Sequence, residues 1–95
     1  MKTNTYDVKK ALISFVIEQS LLDVGKLAME EVGNRLYEKH HCYFADCLEN
    51  PQYLREILQE IFGSSYKSVT DKIEQRLAEL KDQESISEFI TVISK

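Results

Sequence analysis

Every histidine and cysteine of the chain falls between positions 40 and 47: His40, His41, Cys42 and Cys47, with Asp46 among them. Imidazole, thiolate and carboxylate groups are zinc ligands, and a thiol beside an imidazole can become an activated nucleophile. The spacing speaks against both. Zinc sites usually draw together two separated ligand pairs, whereas these residues form a single local run with four positions between the cysteines. A nucleophile and its base need a mutual orientation that close neighbours on one segment rarely supply. The expectation is therefore no metal at His40, His41, Cys42 and Cys47, no catalytic residue and no cofactor. The sequence contains no phosphate-cradling glycine loop, no Ser-His-Asp order and no helical pair of metal-binding histidines. Close carboxylates such as Glu30-Glu31, or Asp82 with Glu84, fall on faces whose pattern is that of a solvated surface. A non-enzymatic role is expected.

The elements that hold these residues follow from size and composition. A chain of 95 residues has apolar surface for one core only, so residues 1–95 are read as a single helical domain, with 1–5 a flexible N-terminal extension. Hydrophobic residues make up 43% and charged residues 29%, which is globular rather than disordered usage. Three glycines and one proline give too few turn residues for a strand-rich chain, which favours helix. The longest apolar stretch, Ala11 to Ile17, is far shorter than the roughly 20 residues of a membrane-spanning helix. Met1 to Thr5 lacks the apolar core of a secretory signal, so a cytoplasmic location with reduced thiols at Cys42 and Cys47 is expected. The net charge of −4, with basic runs no longer than Lys9-Lys10 and Lys39-His40-His41, makes nucleic acid an unexpected partner.

Periodicity predicts an all-α fold, a compact bundle of four to five helices at about 7–22, 26–39, 51–62, 65–81 and 85–94. In the first, Val8, Ala11, Leu12, Phe15 and Leu22 share one face, which reads as the core face, and Gln19 projects into its middle. Ile13, Ile17 and Val24 lie opposite, leaving only Lys10, Ser14 and Glu18 as a polar strip. Asp23-Val24-Gly25 reads as a break. The second helix has its stripe at Ala28, Met29, Val32 and Leu36, with Gly33 offering close approach to a neighbour. Residues 40–49 break the periodicity and read as a loop or single turn. Asn50-Pro51 is a helix start and Gly63 a stop, around an inward stripe of Leu54, Ile57, Leu58 and Ile61. Tyr66, Val69, Ile73, Leu77 and Leu80 make a narrow seam in the fourth helix, which Ser64 or Ser65 can cap. Ser85 with Glu88 reads as a capping box before Ile86, Phe89, Ile90 and Ile93.

The stretch from Asp46 through Asn50-Pro51 to Leu54, continued by Leu58, Ile61-Phe62-Gly63, Tyr66 and Ile73, resembles the Nitrosopumilus output domain family, small helical domains of ammonia-oxidising archaea. The similarity runs from about Ala11 to Leu80. Its sharpest part is the acidic-Asn-Pro helix start with Phe62-Gly63 closing the helix, while the tail from Asp82 onward has no counterpart. The resemblance implies a helical module serving as an output part of signalling proteins, and brings no catalytic residues with it.

Together these readings give a protein-interaction or signalling module that self-associates as a homodimer. The first helix is apolar on two faces, more than so small a domain can cover, and Ile13, Ile17 and Val24 are its expected interface. The alternative is a small helical DNA-binding transcriptional regulator, whose binding would weaken steeply with salt where an apolar dimer persists.

Overall fold

Asn50 and Pro51 open the helix that the sequence marks most sharply. The computed structural model, which describes residues 5–80 and 82–94, places it at Pro51–Phe62 (α3). Pro51 occupies the first turn, where no N–H is needed. Asn50 holds the N-cap position without a side-chain cap bond, and its Nδ2 donates to the Asp46 carbonyl at 3.3 Å. Leu54, Ile57 and Leu58 are wholly buried. Gly63 ends the helix with φ of 57° and ψ of −128°, a positive-φ conformation outside the left-handed helical basin that glycine adopts without a Cβ penalty, and its N–H returns to the Gln59 carbonyl.

Around α3 are arranged α1 (Thr5–Val24), α2 (Lys26–His40), α4 (Tyr66–Arg76) and α5 (Glu84–Ile93), with 3-10 turns at Phe44–Leu48, Gly63–Ser65 and Ala78–Leu80. The all-α bundle read from periodicity is the observed architecture. α3 packs on α2, α4, α5 and the Phe44–Leu48 turn; α1 lies across that same turn, α2 and α4. A radius of gyration of 12.5 Å matches the roughly 12 Å of a single compact unit this long. Among the described residues no helix is long and apolar enough to cross a membrane. Of the stretch read as an N-terminal extension, residues 1–4 lie outside the described residues, and Thr5 already belongs to α1.

Several helix ends differ from the sequence reading: α1 extends by two residues at each end, to Thr5 and Val24. The fourth helix stops at Arg76 and tightens into the 3-10 turn Ala78–Leu80, with the Leu77 N–H bonded to the carbonyls of both Ile73 and Glu74. In α5 the helix starts at Glu84 with Gln83 at the cap position, so Ser85 is already inside it and forms no capping box. Its hydroxyl is buried without a hydrogen-bond partner.

The larger correction concerns α1, whose faces are reversed. Ile13 and Ile17, expected at an interface, are fully buried together with Val16, Ser20 and Leu21. Val8, Phe15 and Leu22, expected in the core, are exposed at 53%, 60% and 41%. Of the residues assigned to the interface only Val24 reaches the surface, at the helix end. Two polar groups account for the orientation. Ser20, small enough to let α4 approach, accepts a bond from Arg76 Nη1 at 3.4 Å, while Arg76 Nη2 pairs with Asp23 at 2.8 Å. Lys10, on the buried side, reaches across to Asp46 at 3.6 Å and Glu49 at 3.2 Å. With the helix turned this way Gln19, read as projecting into the core face, is only half-buried.

Candidate interaction surface and thiol pair

The His/Cys segment is divided by one residue. His41 closes α2 in the left-handed conformation, with φ of 51° and ψ of 42°, and its N–H bonds to the Tyr37 carbonyl at 2.9 Å. The chain turns there, so that Cys42 enters the core at 4% exposure while His41 and Tyr43 stay outside. Cys47, on the Phe44–Leu48 turn, is fully buried. The two thiols point at the same oxygen: Cys42 Sγ lies 3.4 Å and Cys47 Sγ 3.7 Å from the Tyr43 carbonyl. The interaction between the two neighbouring thiols lowers the Cys42 thiol below the ordinary cysteine range and, together with burial, raises that of Cys47.

Both histidines take other partners. His40 stacks flat on Tyr53, with centroids 3.9 Å apart and planes 5° apart, and its Nε2 meets Glu56 at 2.8 Å. His41 sits edge-on to Tyr37 at 5.5 Å. Asp46 accepts the Tyr43 N–H at 3.0 Å and faces Lys10. The four residues that cluster in sequence therefore separate into an inner thiol pair and two outer imidazoles. Among the described residues no group of three or more His, Cys, Asp or Glu is placed to hold a metal.

The exposed face of α1 is the second feature. Val8, Phe15 and Leu22 recur every seven residues, so they form one line along the helix, with exposed Ala11 beside them. At its N-terminal end the line runs into a small apolar groove of about 170 Å³ bounded by Leu12, Leu80 and Ile86. On another side of α1 an open cleft of about 880 Å³ lies between α1, α2 and the Phe44–Leu48 turn, bordered by Ser14, Glu18, Asn34, Tyr37, Tyr43 and Phe44. Gly33 forms its floor, where a Cβ would stand 3.4 Å from the Phe44 ring. The close approach read from Gly33 is thus made by an aromatic side chain rather than by another helix.

Several charged groups pair with one another across helices. Glu60 of α3 accepts from Lys39 at 2.6 Å and Arg35 at 3.4 Å, both on α2, and the Lys39 bond holds its carboxyl below the usual range. Hydrogen bonding to Glu49, then the charges of Glu49 and Asp46, raise the Lys10 ammonium above its ordinary value. Lys10, Arg35, Lys39 and Arg76 are all in ion pairs, which removes four cations from any basic surface available to phosphates. Sequence reasoning missed Ser20 and Thr70, the buried polar residues; the Thr70 hydroxyl satisfies itself on the Lys67 carbonyl at 3.0 Å. The available signal for Ser20 was its spacing of three from Ile17 and four from Val16, which places it on their arc.

No family model, no curated protein and no solved structure matches this chain.

Proposed function

We propose that the protein is a non-enzymatic, cytoplasmic interaction module that pairs with a second copy of itself through the outer face of α1, serving as a signalling output part of the kind its resemblance implies. The observation that carries this reading is the line of Val8, Phe15 and Leu22, left in water by the protein's own core. The line is self-complementary. Val8 and Leu22 stand seven residues on either side of Phe15, about 10 Å each way along the helix. An antiparallel copy related by a two-fold axis through Phe15 sets Phe15 against Phe15 and each Val8 against a Leu22, the isologous geometry of a symmetric dimer.

The face is one helix wide, so the interface falls near the lower limit of about 1,000 Å² total for specific association, and affinity on the order of micromolar is expected. Sedimentation velocity between about 1 and 100 µM tests it. The wild type should pass from monomer to dimer, persist at high salt, and become monomeric on Phe15→Glu with its thermal melt unchanged. A wild type that is monomeric throughout, or a folded Phe15→Glu variant that still dimerises, removes the proposal.

A further inference from the structure

The thiol pair suggests a modification site that is independent of the outer face of α1. We propose that Cys42 and Cys47 are a peroxide-reactive dithiol that closes reversibly into an intrachain disulfide. Three observations place the groups for this chemistry. The left-handed turn at His41 and the 3-10 turn Phe44–Leu48 bring two cysteines five positions apart onto one carbonyl oxygen, that of Tyr43. Neither imidazole competes for them, since His40 is held by Tyr53 and Glu56, and His41 lies outside. The two residues differ in access: Cys42 keeps 4% of its surface open and Cys47 none.

That difference assigns the roles. Cys42 attacks, because it has the residual access and the Cys47 thiol stabilises its thiolate against the opposing effects of burial and of the Asp46 charge. Cys47 resolves, as the buried partner whose proton is held more tightly. So slight an exposure favours a small oxidant, a hydroperoxide such as hydrogen peroxide, over bulky disulfides. In the first step the Cys42 thiolate sulfur bonds to one peroxide oxygen, the O–O bond breaks, and the departing hydroxide takes up the proton Cys42 released, forming water. In the second, Cys47 sulfur bonds to Cys42 sulfur, the S–O bond of the sulfenic acid breaks, and the Cys47 proton leaves with the hydroxyl as a second water. Two thiols are oxidised by two electrons, and one peroxide is reduced to two waters.

Closure leaves the surroundings satisfied. The Tyr43 carbonyl loses two weak S–H donors but keeps the Asp46 N–H at 3.0 Å, so no buried acceptor is orphaned. A neutral disulfide also suits an apolar pocket in which a thiolate is costly. The bond ties the end of α2 to the turn on which α1 rests.

The test uses the folded wild-type protein exposed to a modest excess of hydrogen peroxide and followed by intact mass and alkylation. The expected product is a monomer lighter by about 2 Da, with both cysteines protected from alkylation and both recovered by dithiothreitol. The same reaction in about 6 M guanidinium should be at least about tenfold slower, because the native turns supply the proximity. Cys47→Ser should stop at a sulfenic acid on Cys42 that dimedone traps, and Cys42→Ser should leave Cys47 unreacted over the same exposure. Two alkylatable thiols after peroxide treatment of the wild type, a disulfide formed only between chains, or closure as fast in guanidinium as in the folded state would each overturn the proposal.

Discussion

α3 and α1 both carry apolar residues at helical spacing, yet only α3 declares which side faces inward. On α3 the apolar residues Leu54, Ile57, Leu58 and Ile61 stand opposite Glu56, Gln59 and Glu60, and the structure buries the first three fully and exposes the last three. On α1 apolar residues surround nearly the whole circumference, and the structure buries Ile13, Val16, Ile17 and Leu21 while leaving Val8, Phe15 and Leu22 in water. The hydrophobic effect is non-directional, so it orients a helix only where a wide polar arc makes one side expensive to bury. On α1 the choice passes to weaker, specific partners: Ser20 with Arg76, and Lys10 with Asp46 and Glu49. The outcome is a core helix with a second apolar face to spare.

The comparison breaks most visibly under truncation of side chains. Leu58→Ala in α3 and Ile17→Ala in α1 are each expected to cost about 2 to 5 kcal/mol, since both side chains are fully buried and truncation removes their transfer energy and leaves a cavity. Phe15→Ala, on the other face of α1, should change monomer stability by less than about 0.5 kcal/mol, as an exposed position does. Urea denaturation at a concentration that keeps the chain monomeric separates the faces. A loss at Phe15 equal to that at Ile17 would mean that α1 faces inward as its sequence first suggests.

What was legible before the structure divides along the same line. The Asn50-Pro51 start, the Gly63 stop and the stripe between them follow from backbone chemistry confined to a few neighbours, and these bounds agree with the observed Pro51–Phe62. The inward face of α1 was illegible because it depends on Arg76 and Asp46, 56 and 36 positions beyond the Ser20 and Lys10 they contact. The His/Cys cluster shows a third case. Nearness in sequence suggested a common site, but a single left-handed residue, His41, sends the side chains before and after it to different environments. Histidine is, with asparagine and aspartate, enriched in that conformation among non-glycine residues, but it adopts it too seldom for its identity alone to mark the turn. Ser85-x-x-Glu88 matched a capping pattern, yet Glu84 had already begun the helix.

A smaller effect is expected where α3 ends. Gly63→Ala should destabilise by about 1 kcal/mol, because at φ of 57° an added Cβ is strained even though no heavy atom lies within 4 Å of it. The loss is expected to be backbone strain alone, and because ψ at Gly63 is −128°, outside the left-handed helical basin that asparagine tolerates, Gly63→Asn should recover little of it. Equal stability of wild type and Gly63→Ala in urea would show that α3 can end without a positive-φ residue.

The smallest effect tests the polar face that makes α3 legible. Glu60 is ionised with its pKa lowered, chiefly by the hydrogen bond from Lys39 and then by the charges of Lys39 and Arg35. A carboxylate depressed on folding contributes stability that is fully present above its unfolded value of about 4.3 and is lost as pH falls through the lower folded value. Lys10 has the opposite sign, since a raised ammonium contributes below its unfolded value and loses that contribution as pH climbs through the folded one. Between pH 7 and pH 3 the urea midpoint of the wild type should therefore fall further than that of Glu60→Gln. Added salt should narrow the difference at Glu60, because the pair is at the surface and screened. Parallel acid limbs for wild type and Glu60→Gln would show that the ion pairs bridging α2 and α3 add nothing to the stripe beneath them, and that the polar arc orients α3 only by its preference for water.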